Sequence, residues 1–185
     1  MTRMMTRRCA TAFGLSLAAM LLSSCVSVTA GVSTADSVDA EPLKVFLVRH
    51  AEKQAGNDPA LTEAGTERAE ALADLLRDAG IMQIHSSDYR RTRDTAAPLA
   101  DRLGLSVALY DPRDLPGMAD VLRTRSGTHL VVGHSNTTPP LVELLGGDGG
   151  EPIVEATEYD RLYLVSRAPD GSVSSVLLRY GAPTG

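Results

Sequence analysis

The sequence predicts an α/β protein: a three-layer α/β/α sandwich around a mostly parallel sheet. Two observations carry this expectation. Short apolar runs ("KVFLVRH", "IMQIHSS", "SVALY" and "THLVVGH") alternate along the chain with stretches of helical periodicity. Runs without polar alternation belong to strands buried on both faces, and strands separated by helices pair in parallel with helices on either side. Three of these strands also end in chemically loaded residues: Arg49-His50, Ser86-Ser87 followed by Arg90-Arg91, and His134-Ser135-Asn136. In open parallel sheets the ligand lies outside the carboxyl ends of the strands.

The elements follow in order. "KVFLVRH" reads as the first strand. "LTEAGTERAEALADLLRDAG" reads as a helix with Thr62 as its N-cap, an apolar face of Ala69, Leu72, Leu75, Leu76 and Ala79, and Gly80 at its stop. "LTEAG" is therefore a helix start and not a site. "IMQIHSS" is the second strand, and "RRTRDTAAPLADRLG" a helix that stops at Gly104. "SVALY" is a strand, "LPGMADVLRTR" a helix and "THLVVGH" a strand. "TTPPLVELLGG" opens a helix capped by Thr138 with Pro139 at its first position, where proline is well tolerated. "DRLYLVSR" and "SVSSVLLRY" are closing strands joined by the "APDGS" turn.

The chain has 185 residues and suits one folded domain, here residues 43–185. Residues 1–24 read as an export signal: a basic start with Arg3, Arg7 and Arg8, then the apolar "FGLSLAAMLL", too short to span a bilayer. "LLSSC" ends it. Leu22, Ser23, Ser24 and Cys25 resemble a bacterial lipobox, with Cys25 lipidated as the mature N-terminus; the alternative is an ordinary signal peptide cleaved a few residues later, near "VTA". Residues 25–42, rich in Ser, Thr, Ala, Val and Asp, read as a flexible tether. Val26 after the cysteine resembles lipoproteins of the outer membrane, which implies a domain in the periplasm. Without residues 1–24 the chain has 15 basic residues against 23 acidic ones. That balance argues against a nucleic-acid partner. Cys9 and Cys25 are the two cysteines, so the domain itself has no thiol for catalysis, disulfides or zinc.

The strand ends hold histidines and arginines, which suit phosphoryl transfer. Arginine offers a planar fork of donors and a permanent charge for phosphate oxygens, and a neutral imidazole is a nucleophile toward phosphorus. Fixed cations can do the electrostatic work, and no carboxylate cluster has metal-ligand spacing, so no metal or other cofactor is expected.

"LVRHAEK", "LTEAG", "SSDYRRTRDTAAPLA" and "VVGHSN", in this order, resemble the histidine phosphatase superfamily, the phosphoglycerate mutase-like enzymes, from about Val45 to Gly147. The likeness is to the small branch without an inserted cap. It implies a phosphoglycerate mutase-like fold and a small phosphorylated substrate. It also implies roles: His50 as the nucleophile that takes the phosphoryl group, Arg49 and Arg91 as phosphate ligands, His134 as the second histidine on the phosphate. Arg91 matches through its register with Ser87 and Thr95. Ser135 and Asn136 follow His134 as substrate-binding donors near a helix start. Arg90 and Arg93 read as a solvated or substrate-facing flank, and His85 and His129 as structural.

The sequence departs from the family at the proton donor. Large members have aspartate directly after the second histidine, where this chain has Ser135; mutases have a glutamate in a loop that here reads "YDPRDLPGM". Asp111 is the first choice for the acid, with Asp114, Glu52 and Asp58 as alternatives. The departures argue for a phosphatase of phosphomonoesters or phosphohistidine over a mutase. Export points to envelope or extracellular phosphoesters as substrates. The other reading is a noncatalytic lipoprotein that binds a phospho-ligand on the same scaffold.

Overall fold

The computed structural model describes residues 41–184. The expected signal, Cys25 and all but the last two residues of the tether lie outside the described residues.

The elements run β1 (Leu43–Arg49), α1 (Glu63–Leu76), β2 (Ile81–Ser87), α2 (Arg90–Leu103), β3 (Val107–Tyr110), α3 (Leu115–Arg123), β4 (Gly127–Gly133), α4 (Thr138–Leu144), β5 (Arg161–Arg167) and β6 (Val173–Arg179). One six-stranded sheet has the order β3-β2-β4-β1-β5-β6. The first four in that order pair in parallel, and β5 and β6 close it antiparallel. The predicted α/β sandwich with a mostly parallel sheet is thus the fold observed.

Alternate side chains of β1 go to opposite faces, as the pleat requires. Val48 packs with Leu72 and Leu76 of α1 and Leu99 of α2. Val45 and Leu47 pack with Leu122 of α3 and Leu141 and Val142 of α4. Both faces are covered, which is why the strand reads as an unbroken apolar run. The same partition sets the site. The helix after β1 lies on one face and the helix after the neighbouring β4 on the other. Their carboxyl ends therefore flank the crevice where the winding reverses, the usual ligand position in such sheets.

Thr62 caps α1, its Oγ1 accepting from Gly65 N at 3.1 Å. Gly65 has a second reason: a Cβ there would lie 2.1 Å from the Glu52 carbonyl oxygen. "LTEAG" is a helix start pressed against the loop that follows His50. Boundaries differ from expectation in two places. Helix α1 stops at Leu76, and residues 77–80 form a turn that ends at Gly80, whose φ is +70°. The cap position of α4 is Thr137, not Thr138. Thr137 makes no capping bond there, because its hydroxyl is engaged by the His134 backbone.

Candidate active site

The register of the central strands builds the site. Arg49 of β1 pairs with Gly133 of β4, so His50 and His134 leave adjacent parallel strands side by side. The His50 N–H donates to the Gly133 carbonyl at 2.9 Å and holds the two exits together. The imidazoles meet edge to face, with centroids 5.5 Å apart. Glycine at 133 lets the neighbours close in: a Cβ there would come within 2.8 Å of Thr137 Oγ1 and 2.9 Å of the Tyr110 hydroxyl, and one of them would have to shift. The chain after β4 folds back there, and Thr137 Oγ1 accepts from His134 N at 2.8 Å.

His50 is buried and its Nδ1 lies 2.8 Å from the Ala51 carbonyl oxygen. A carbonyl only accepts, so Nδ1 carries the proton and Nε2 presents a lone pair. The Ala51 N–H donates to Thr95 Oγ1 at 3.0 Å, which ties the residue after the nucleophile candidate to α2. Burial, with the charges of Arg49 and Arg91 and the neighbouring His134 adding to it, lowers the pKa of His50 to about 3. The ring is neutral at working pH, as a nucleophile must be.

His134 faces the other way. Its Nε2 lies 2.8 Å from Ser87 Oγ, which in turn donates to Thr92 Oγ1 at 3.1 Å. Arg91 Nη2 approaches its Nδ1 at 3.4 Å. Arginine only donates, so the proton of neutral His134 belongs on Nε2. Burial, then the charges of Arg91 and Arg49, lowers its pKa to about 4. Arg91 lies over the Tyr89 ring, 4.4 Å from its centroid, and 3.7 Å from Asp58 Oδ1. Its buried Nε has no hydrogen-bond partner among the described residues. Arg90 and Arg93 are spent on Asp94 and Asp88.

His50, Arg91, His134, Ser135 and Asn136 line one cavity of about 360 Å³, together with Tyr89, Lys53, Arg113 and Glu155. Arg49 does not line it. Its guanidinium donates to the carbonyls of Glu158 at 2.8 Å and Glu155 at 2.7 Å, and stacks 4.0 Å above Tyr159. The expected phosphate ligand is a buried cation behind His50, held by the segment before β5. Its charge reaches both histidines, and only its Nε lacks a partner. His85 and His129 bond to each other at 3.2 Å and take no part in this cavity.

None of the expected acids lines the cavity. Asp111 is gripped by Arg113 through both oxygens, at 2.9 and 2.8 Å, and its pKa is lowered to about 2 by that bond. It is held ionised, which is wrong for an acid. Asp114 caps α3 through Gly117 N. Glu52 pairs with buried Arg68 at 2.8 Å. Asp58 accepts from Arg90 N at 2.7 Å. The carboxylate that does line the cavity is Glu155, in a stretch without helical or strand periodicity, where sequence patterns carry no signal. Among the described residues no group of His, Cys, Asp and Glu side chains has the arrangement of a metal site.

The family model of the histidine phosphatase superfamily (branch 1) matches the chain over residues 45–113. Among its relatives is a protein of Erwinia tasmaniensis named "Probable phosphoglycerate mutase GpmB", 44% identical over 79 residues. That stretch is 38% of this chain and 36% of the relative, so the chain matches little more than a third of the relative's length. The fold is also that of a mycobacterial glucosyl-3-phosphoglycerate phosphatase, with a TM-score of 0.59 at 16% identity over 77% of this chain and 100% of that one. A phosphoglycerate mutase from Bacillus anthracis str. Sterne gives 0.57 at 16% identity, over 76% and 94% of the two chains. A phosphatase and a mutase thus share the architecture, and the likeness is one of fold.

Proposed function

We propose that the protein is a metal-independent phosphatase that acts on phosphomonoesters or phosphohistidine through a covalent intermediate on His50. One observation carries this reading: the 2.8 Å bond from His50 Nδ1 to the Ala51 carbonyl, which leaves Nε2 unprotonated beside Arg91 and His134. In the mechanism, Nε2 attacks phosphorus in line with the leaving oxygen. Arg91 turns its fork from His134 to the phosphoryl oxygens, a charge-assisted bidentate contact. His134 Nδ1 takes up a proton as the dianion binds and donates to a phosphoryl oxygen, while Ser87 holds the ring. Arg49 adds positive charge from behind. Ser135 and Asn136 bind the substrate from the start of α4. Water then attacks the phosphoryl group, and His50 leaves with its electron pair.

A phosphatase is favoured over a mutase because the loop after β3 spends its acids on Arg113 and on the α3 cap. The N-terminal residues support a lipoprotein anchored through Cys25 in the cell envelope, at the outer membrane and facing the periplasm, and such a place points to envelope or extracellular phosphoesters. The test is hydrolysis of p-nitrophenyl phosphate in excess EDTA. Turnover that survives EDTA and is lost in His50→Ala supports the reading. Phosphate binding without turnover in the wild type would make the protein a noncatalytic binder.

A further inference from the structure

We infer that Glu155 is the general acid and base of the reaction, a role supplied from the segment before β5 and not from the loop after β3. The inference rests on the phosphatase reading above. Glu155 is the one carboxylate in the wall of the cavity that His50, Arg91 and His134 line, among the described residues. The other acids near the cavity are engaged: Glu52 by Arg68, Asp58 by the Arg90 N–H, Asp111 by Arg113 and Asp114 by the Gly117 N–H. No hydrogen bond or ion pair engages the Glu155 carboxylate among the described residues, so it is available to a ligand.

Its backbone is fixed although its side chain is free. The Glu155 carbonyl accepts from Arg49 Nη2 at 2.7 Å, and the Glu158 carbonyl accepts from Nη1 at 2.8 Å. Arg49 directly precedes His50. The clamp therefore ties the acid-bearing segment to the end of β1 that carries the nucleophile. Arg161 and Arg179 hold the Glu158 carboxylate at 2.7 and 2.8 Å and brace the segment from the β5–β6 side. This assigns Arg49 a second task, to position Glu155.

The step balances. His50 Nε2 donates its lone pair to phosphorus, the P–O bond to the leaving group breaks with its pair on oxygen, and that oxygen takes the proton of Glu155. In the second half the Glu155 carboxylate takes a proton from water as the new P–O bond forms, and the N–P pair returns to His50. The substrate brings the proton. Its second ionisation lies near pH 6, so it can enter as the monoanion and hand its proton to the Glu155 carboxylate.

The leaving group provides the test. p-Nitrophenolate departs without protonation and an alkoxide does not. Glu155→Gln is therefore expected to lose about a hundredfold or more in kcat on an alkyl phosphate such as glycerol phosphate, and less than about tenfold on p-nitrophenyl phosphate. Glu155→Asp is expected to recover part of the alkyl ester activity, and Glu155→Gln to change the shape of the pH profile on that ester where Glu155→Asp keeps it. Equal losses on both esters, or no loss on either, overturn the assignment and leave the phosphatase reading standing. A wild type inert on both esters overturns the phosphatase reading itself.

Discussion

Thr95 Oγ1 accepts the Ala51 N–H at 3.0 Å and donates to the Arg91 carbonyl at 2.7 Å. One hydroxyl thus joins the residue after His50 to the backbone of Arg91, and the proposed mechanism brings His50 and Arg91 to one phosphorus atom. In Thr95→Val the shape remains and the buried Ala51 N–H loses its partner, which costs about 1–3 kcal/mol. Denaturant unfolding should show that loss. Turnover should fall about tenfold or more, since small misplacements of a nucleophile are costly. A folded variant with wild-type turnover would show that the tie does not position His50.

Phosphate, vanadate or tungstate should raise the melting temperature, because a ligand that binds only the folded state stabilises it. The shift should persist in EDTA. In Arg91→Ala it should nearly vanish, since the lost donor is worth about 1.5–3 kcal/mol of charge-assisted hydrogen bonding. A shift that needs an added divalent metal would contradict the site described.

Both active-site histidines should remain neutral well below pH 6. Burial beside Arg49 and Arg91 lowers His50 to about 3 and His134 to about 4. The unfolded chain then binds more protons than the folded one below the ordinary histidine value near 6.5. Stability is full above about pH 6.5 and is lost as pH falls toward those values. Ring resonances in the anion-free protein check this directly, with no titration of His50 or His134 expected between pH 5 and 8. A midpoint near 6.5 for either ring would show that it is neither buried nor among cations.

Cys25→Ala should release the protein from membranes or block its maturation. Fractionation measures it. Equal membrane recovery of variant and wild type would rule out the lipid anchor.

Arg91 was singled out through the family resemblance, by its register with Ser87 and Thr95, whereas the places of His50 and His134 were legible in the sequence for a physical reason. A strand buried on both faces shows as an apolar run, and the polar residue that ends it marks the carboxyl edge where ligands bind. The position of Arg49 was not legible. Its partners are the carbonyls of Glu155 and Glu158, more than 100 residues away in the chain and without side-chain identity. Glu155 was missed for the same reason: it lies in an irregular stretch that only the close of the sheet brings to the cavity. Asp111 was legible in part. Arg113 stands two residues on, and its N–H also donates to Asp111 Oδ1 at 2.9 Å, a local turn that claims the carboxylate. Position after a strand suggested an acid, and the turn that binds it to Arg113 came only with the structure.

The central claim is that His50 Nε2 takes the phosphoryl group. Mixing the protein with a 32P-labelled phosphoester and quenching in base measures this most directly. The expected result is a phosphoenzyme that is stable in base and labile in acid, maps to His50, and is absent together with nearly all turnover in His50→Ala. Full turnover with no base-stable phosphoenzyme, or a His50→Ala variant that retains substantial activity, would show that water attacks phosphorus directly and would contradict the account.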